Sequence, residues 1–122
     1  MIVFDASALL ALVFAETGAE KVRSALGQES GICSSVNWSE IAQKVHSLNG
    51  SWDTTRAALL GLGLVIEPVN QADAEAAALL WAPKDGLSLA DRICLAVGQR
   101  LGTKVLTADR AWVDRPGVEL IR

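Results

Sequence analysis

A chain of 122 residues, 51% hydrophobic and 20% charged with only three prolines, has the material for one core and none of the composition of a linker. This points to a single domain over residues 1–122 and excludes a disordered or low-complexity protein. A formal net charge of −3 excludes broad electrostatic attraction as the source of nucleic-acid affinity, so only a local basic rim or a bound cation could favour a polyanion in one cleft.

The opening M-I-V-F-D-A-S-A-L-L-A-L-V-F has no basic residue ahead of its apolar run and carries Asp5 where a signal peptide would be positive. It is shorter than the ~20 apolar residues of a membrane span. It therefore reads as folded structure in a cytoplasmic protein: a buried strand at Ile2–Phe4, then a helix over Ser7–Ala15, with the segment closed by Gly18. Ala19–Leu26 reads as a second helix ended by Gly27, and Ile32–Ser34 as a short strand. Trp38, Ile41, Ala42, Val45 and Leu48 recur at helical spacing and stop at Asn49-Gly50. Ser51 is placed to cap a helix reaching about Leu60. Leu64–Ile66 is a strand candidate, Ala72–Trp81 an alanine-rich helix ended near Pro83, and Leu89–Leu101 a helix ended by Gly102. Val105–Leu106 and Val118–Ile121 are the last strands. Short unbroken apolar strands alternating with helices predict an α/β fold with a parallel sheet covered on both faces.

Cys33 and Cys94 form no C-x-x-C pair and read as buried free thiols. Gly61-Leu62-Gly63 precedes a strand instead of following one, so it is a turn and not a dinucleotide loop. His46, the only histidine, lies on the flank of its helix as a surface or interface residue. Trp38, Trp52, Trp81 and Trp112 are expected to pack in the core or in a partner groove, where aromatic anchors concentrate binding energy, before they are expected to stack bases.

Four carboxylates stand at the edges of the predicted elements: Asp5 after the first strand, Glu40 in the first turn of the third helix, Asp91 likewise in a later helix, and Asp109 after Val105–Leu106. Helix capping accounts for any one of them. Asn37-x-x-Glu40 and Ser88-x-x-Asp91 match or approximate the capping box, Asp5 and Asp109 could cap the helices they precede, and each cap is worth about 1 kcal/mol. Taken together they suggest more. At about 100° per residue, Glu40 and Asp91 each fall some ~120° from the centre of their helix's apolar stripe, at a rim. Asp5 and Asp109 fall beyond the carboxyl ends of strands, where parallel sheets bind ligands. Two anions 4 Å apart repel by about 4 kcal/mol at an effective dielectric of 20, so four converging carboxylates need a cation. Hard oxygen ligands suit Mg²⁺ or Mn²⁺, and with one histidine and no nearby thiol they do not suit zinc. The matching reaction is phosphodiester hydrolysis, in which metal charge activates water and offsets the developing anion.

The motifs D-A-S-A-L-L-A-L (Asp5–Leu12), V-N-W-S-E (Val36–Glu40), L-S-L-A-D-R (Leu87–Arg92) and V-L-T-A-D-R (Val105–Arg110) occur in this order over essentially the whole chain. In that order they resemble the PIN-domain ribonucleases, and more narrowly the VapC-type toxins of type II toxin-antitoxin modules. The resemblance implies a three-layer α/β/α sandwich and an acidic metal site of Asp5, Glu40, Asp91 and Asp109. It further implies Mg²⁺- or Mn²⁺-dependent endonuclease action on RNA, homodimerisation, and inhibition by a cognate antitoxin. Thr107 is then a hydroxyl near water or substrate, and Ser7 a matching hydroxyl. Arg92 and Arg110, each following a candidate ligand, are candidates to touch phosphate, whereas Asp114 reads as a loop acid. Asn37 stands where many relatives have threonine. Two other readings use the same acids: a non-catalytic PIN-like domain that binds RNA or protein, and a phosphoacceptor domain. The second lacks a lysine on the acid side of a late strand, since Lys104 precedes Val105.

Overall fold

The computed structural model describes residues 1–122. In chain order its elements are β1 (Ile2–Phe4), α1 (Ala6–Val13), α2 (Ala19–Gln28), β2 (Gly31–Ser34), α3 (Ser35–Ser47), α4 (Trp52–Gly61), β3 (Val65–Glu67), α5 (Gln71–Leu79), α6 (Leu89–Leu101), β4 (Val105–Thr107), a 3-10 turn (Arg110–Trp112) and β5 (Val118–Leu120). The strands form one sheet in the order β3-β2-β1-β4-β5, parallel throughout. β1 is central, with Val3 opposite Ile32 on one side and Val105 on the other.

Side chains alternate across the sheet, as a strand's period of two requires. Ile2, Phe4, Cys33 and Leu106 pack with α1 and α2 in one core cluster, which also takes Leu59 of α4. Val3, Ile32 and Val105 pack with α6 and Ala77 of α5 in the other. The expected three-layer α/β/α sandwich is therefore the observed fold. Helix α6 lies close on the sheet because Gly98 has no side chain, and a Cβ there would stand 2.6 Å from Val105 Cγ2. No helix is long and apolar enough to cross a membrane.

Two features of this topology place the functional edge. In a parallel sheet every strand ends on the same side. Here the chain runs outward from β1 to β2 and β3, then crosses back to lay β4 and β5 on the other flank, so the order reverses between β1 and β4. Helix α3 leaves β2 directly at that edge and packs against both α1 and α6, closing one side of the crevice.

Helix boundaries differ from the sequence expectation where local chemistry competes. α1 stops at Val13 and not at Ala15, which adopts a left-handed φ of 52°. α2 continues through Gly27 to Gln28, at a propensity cost of about 1 kcal/mol relative to alanine. α5 begins at Gln71 inside an Asn70/Asp73 capping box and ends at Leu79, which leaves Leu79 and Trp81 exposed. The largest difference is in α3: it starts at Ser35, three residues before Trp38, because Ser34 is its N-cap. Glu40 therefore lies in the second helical turn, and Asn37 is not the cap.

Candidate active-site cleft

Asp5 follows β1 and caps α1, its Oδ1 accepting the Ala8 N–H at 2.8 Å. Ser7 Oγ lies 2.8 and 2.9 Å from the two carboxylate oxygens, and Thr107 Oγ1 donates to Oδ2 at 2.6 Å. The Thr107 oxygen in turn accepts the Asp109 N–H at 3.0 Å, and Ser7 Oγ accepts the Ala108 N–H at 2.9 Å. This network fixes the start of α1 to the end of β4 and leaves Asp5 only 4% exposed. Burial pushes its carboxyl up to about 6, against the three sets of hydrogen bonds that favour the anion and with a further push from the Asp91 charge. No cation pairs with it. Thr107, fully buried, thus sits beneath Asp5 and orients it, with no face left for substrate.

Glu40 is held by a relay that begins in β2. Ser34 Oγ accepts the Asn37 N–H at 3.0 Å and donates to Asn37 Oδ1 at 3.0 Å; Asn37 Nδ2 then donates to Glu40 Oε1 at 2.7 Å. Asn37 is 1% exposed, so its amide is fixed by packing as well as by its partners. Asp91 does form the expected capping box of α6, with the Ser88 N–H bonding its Oδ2 at 2.9 Å. Asp109 caps the 3-10 turn, its Oδ1 accepting the Ala111 N–H at 2.9 Å. Capping is therefore a correct description of Asp5, Asp91 and Asp109, but an incomplete one. Glu40, Asp91 and Asp109 each commit one oxygen to the protein, and the second oxygen of each has no hydrogen-bond partner.

All four carboxylates line one cleft of about 560 Å³ at the carboxyl edge of the sheet, together with Ser7 and Asn37. No three Asp, Glu, His or Cys side chains stand close enough together to form a ready-made metal cage. By donor chemistry the cleft fits a small hard cation: every ligating group is oxygen, and one carboxylate is desolvated without a countercharge. Glu40, Asp91 and Asp109 are half-buried or exposed, which leaves their free oxygens room to adjust.

The remaining candidates fall outside the cleft lining. Arg92 turns toward α5, where its Nη1 donates to the Ala77 carbonyl at 2.9 Å. Arg110 is exposed on the 3-10 turn, and Asp114 is exposed in the loop beyond it. Trp112 is fully buried, Trp38 and Trp52 pack edge to face at 4.9 Å, and only Trp81 is solvent-facing. Sequence reading missed Gln43, Lys44 and Ser47, which line the cleft beyond Glu40. The signal was present: with Glu40 they occupy positions i, i+3, i+4 and i+7, one face of α3.

The PIN domain family model matches residues 2–117. Among solved structures, the chain is similar to one titled as a toxin-antitoxin complex from Klebsiella pneumoniae, with TM-score 0.82 and 22% identity over 100% of this chain and 98% of that one. It is also similar to VapC20 of Mycobacterium tuberculosis, described as a sarcin-ricin loop cleaving toxin, with TM-score 0.77 and 17% identity over 98% of each chain. A third similar structure is FitAcB from Neisseria gonorrhoeae, with TM-score 0.70 and 18% identity over 100% of this chain and 97% of that one. At these identities the likeness speaks for the fold. No curated protein matches in sequence.

Proposed function

The chain belongs to the PIN domain family, and on that premise we propose that it is a Mg²⁺- or Mn²⁺-dependent endoribonuclease acting as the toxin of a type II toxin-antitoxin module. The observation that carries this reading is the meeting of Asp5, Glu40, Asp91 and Asp109 in one cleft, with Asp5 buried and unmatched by any cation. The toxin role draws support from the similar solved structures described as a toxin-antitoxin complex and a sarcin-ricin loop cleaving toxin. A cytoplasmic homodimer inhibited by a cognate antitoxin completes the proposal.

When bound, the divalent ion supplies positive charge that eases deprotonation of water and offsets charge developing on the phosphate. The chain's own contribution is positioning. Ser7, Thr107 and the Ala8 N–H fix both oxygens of Asp5 as the rigid anchor. Asn37 fixes one oxygen of Glu40, and the helix caps fix one oxygen each of Asp91 and Asp109. The free oxygens of Glu40, Asp91 and Asp109 are then offered beside Asp5 from three separate elements without the entropy of loose side chains.

Purified protein, freed of any antitoxin, is expected to cleave RNA with Mg²⁺ or Mn²⁺ and to stop on chelation. Cleavage continuing unchanged after Asp5→Ala or Asp91→Ala would remove these carboxylates from the mechanism.

A further inference from the structure

The cleft lining is not acidic throughout. It continues along α3 through Gln43, Lys44 and Ser47, about 10 Å of helix beyond Glu40. Lys44 is the one cation among the lining residues. It is exposed, and its ammonium takes part in none of the ion pairs of the protein.

Glu40 and Lys44 have the favourable order and spacing for a helical ion pair, glutamate four residues before lysine, yet no such pair is present. The Asn37 amide, buried and held by Ser34, instead holds Glu40 Oε1 toward the start of α3 at 2.7 Å. Two groups that would otherwise neutralise each other are kept apart: the carboxylate stays with the acidic cluster, and the ammonium stays available one turn further along. Arg92, which follows Asp91, does not line the cleft but turns to the Ala77 carbonyl.

We infer that Lys44, with the Gln43 amide beside it, binds a backbone phosphate of a single-stranded RNA, a subsite adjoining the one where the scissile phosphate meets the carboxylates. The inference rests on the reading of the cleft as a ribonuclease site. An ammonium at this place puts local positive charge in an acidic cleft of a chain of net charge −3.

The test is binding of a fluorescently labelled single-stranded oligoribonucleotide in EDTA, followed by anisotropy across a series of KCl concentrations. Lys44→Ala is expected to weaken binding about 3- to 10-fold and to flatten the slope of log K against log salt by about 0.7, the release for one phosphate contact on a single strand. Lys44→Arg should keep the wild-type slope. Lys104→Ala, at the opposite edge of the sheet, should leave both affinity and slope unchanged. Mn²⁺ affinity of Lys44→Ala should equal that of wild type, which shows the cleft intact. If wild type binds RNA and Lys44→Ala has the same slope, the subsite is wrong while the ribonuclease reading stands. If wild type binds no RNA in EDTA but cleaves it with Mg²⁺ or Mn²⁺, the subsite is wrong while the ribonuclease reading stands; if it neither binds nor cleaves RNA with the metal present, both fail.

Discussion

Asp5 and Asp73 are 4% and 1% exposed, and each satisfies the start of a helix, yet their carboxyl pKa values move in opposite directions. Arg100 reaches Asp73 from α6 with Nε at 2.7 Å and Nη2 at 3.0 Å, and also pairs with Glu67 at 3.0 Å. That guanidinium holds the Asp73 carboxyl below the usual carboxylate range. Asp5 receives hydrogen bonds from Ser7, Ala8 and Thr107, all neutral, and its carboxyl is nevertheless pushed up to about 6 by burial. Neutral donors orient a buried anion without matching its charge. The α5–α6 face supplies its own cation and is finished as a structural joint, whereas the cleft is left with a negative excess that a divalent ion would remove.

The contrast can be broken most severely by removing the charge of Asp5. Asn is as good an N-cap as Asp, so Asp5→Asn keeps α1 anchored while deleting the ligand. Cleavage is expected to fall at least about 100-fold, the loss of several kcal/mol of metal-derived stabilisation, with a melting temperature no lower than wild type. Initial rates and thermal melts on the same preparation check both halves.

Proton linkage separates the two carboxylates by sign. Because the folded pKa of Asp5 is raised, the metal-free protein binds more protons folded than unfolded between the ordinary aspartate range and about pH 6. Its stability should therefore rise as pH falls from 7 toward 4, with Asp5 contributing on the order of 2–3 kcal/mol. Asp73 and Glu119 are both held low by their basic partners, so their contribution is present above their unfolded values and is lost as pH falls below about 4. Chemical denaturation from pH 3 to 8 should show a maximum in mildly acid solution, and Asp5→Asn should abolish the rise on its alkaline side.

Asp73→Asn sharpens the comparison from the other side. It weakens the capping box and the Arg100 contacts, so a stability loss of about 1–2 kcal/mol is expected with cleavage close to wild type. Asn37→Ala frees Glu40 from its tether and is expected to slow cleavage about tenfold, equivalent to roughly 1.4 kcal/mol. In a Glu40→Gln background the same change should cost much less, and that non-additivity identifies Asn37 as acting through Glu40.

Much of this was legible in the sequence, for identifiable reasons. Ile2–Phe4 and Val105–Leu106 are unbroken apolar runs, which marks β1 and most of β4, and the ends of α6 carry strong local signals in the Ser88/Asp91 box and the left-handed Gly102. The grouping of Asp5, Glu40, Asp91 and Asp109 followed from their positions at element ends. What could not be read was the choice between equivalent local partners. Ser34 and Asn37 are both good cap residues, and β2 ending at Ser34 decides for the earlier one, which moves Glu40 from the first helical turn to the second. Thr107 and Arg92 lie next to the right acids in sequence, but the pleat of β4 turns Thr107 under Asp5, and the packing of α5 on α6 gives Arg92 a carbonyl to cap. Lys44 carries no motif of its own; only the continuation of the cleft along α3 beyond Glu40 brings it to the site.

A cleft with this negative excess around Asp5 is expected to bind a divalent ion directly. Titration of Mn²⁺ into the protein at pH 7, with free ion read by electron paramagnetic resonance, tests it without relying on any substrate. Wild type and Asp73→Asn should bind Mn²⁺ equally and Asp5→Asn at least about tenfold more weakly, a difference of roughly 1.4 kcal/mol or more. Equal affinity in wild type and Asp5→Asn would contradict the account.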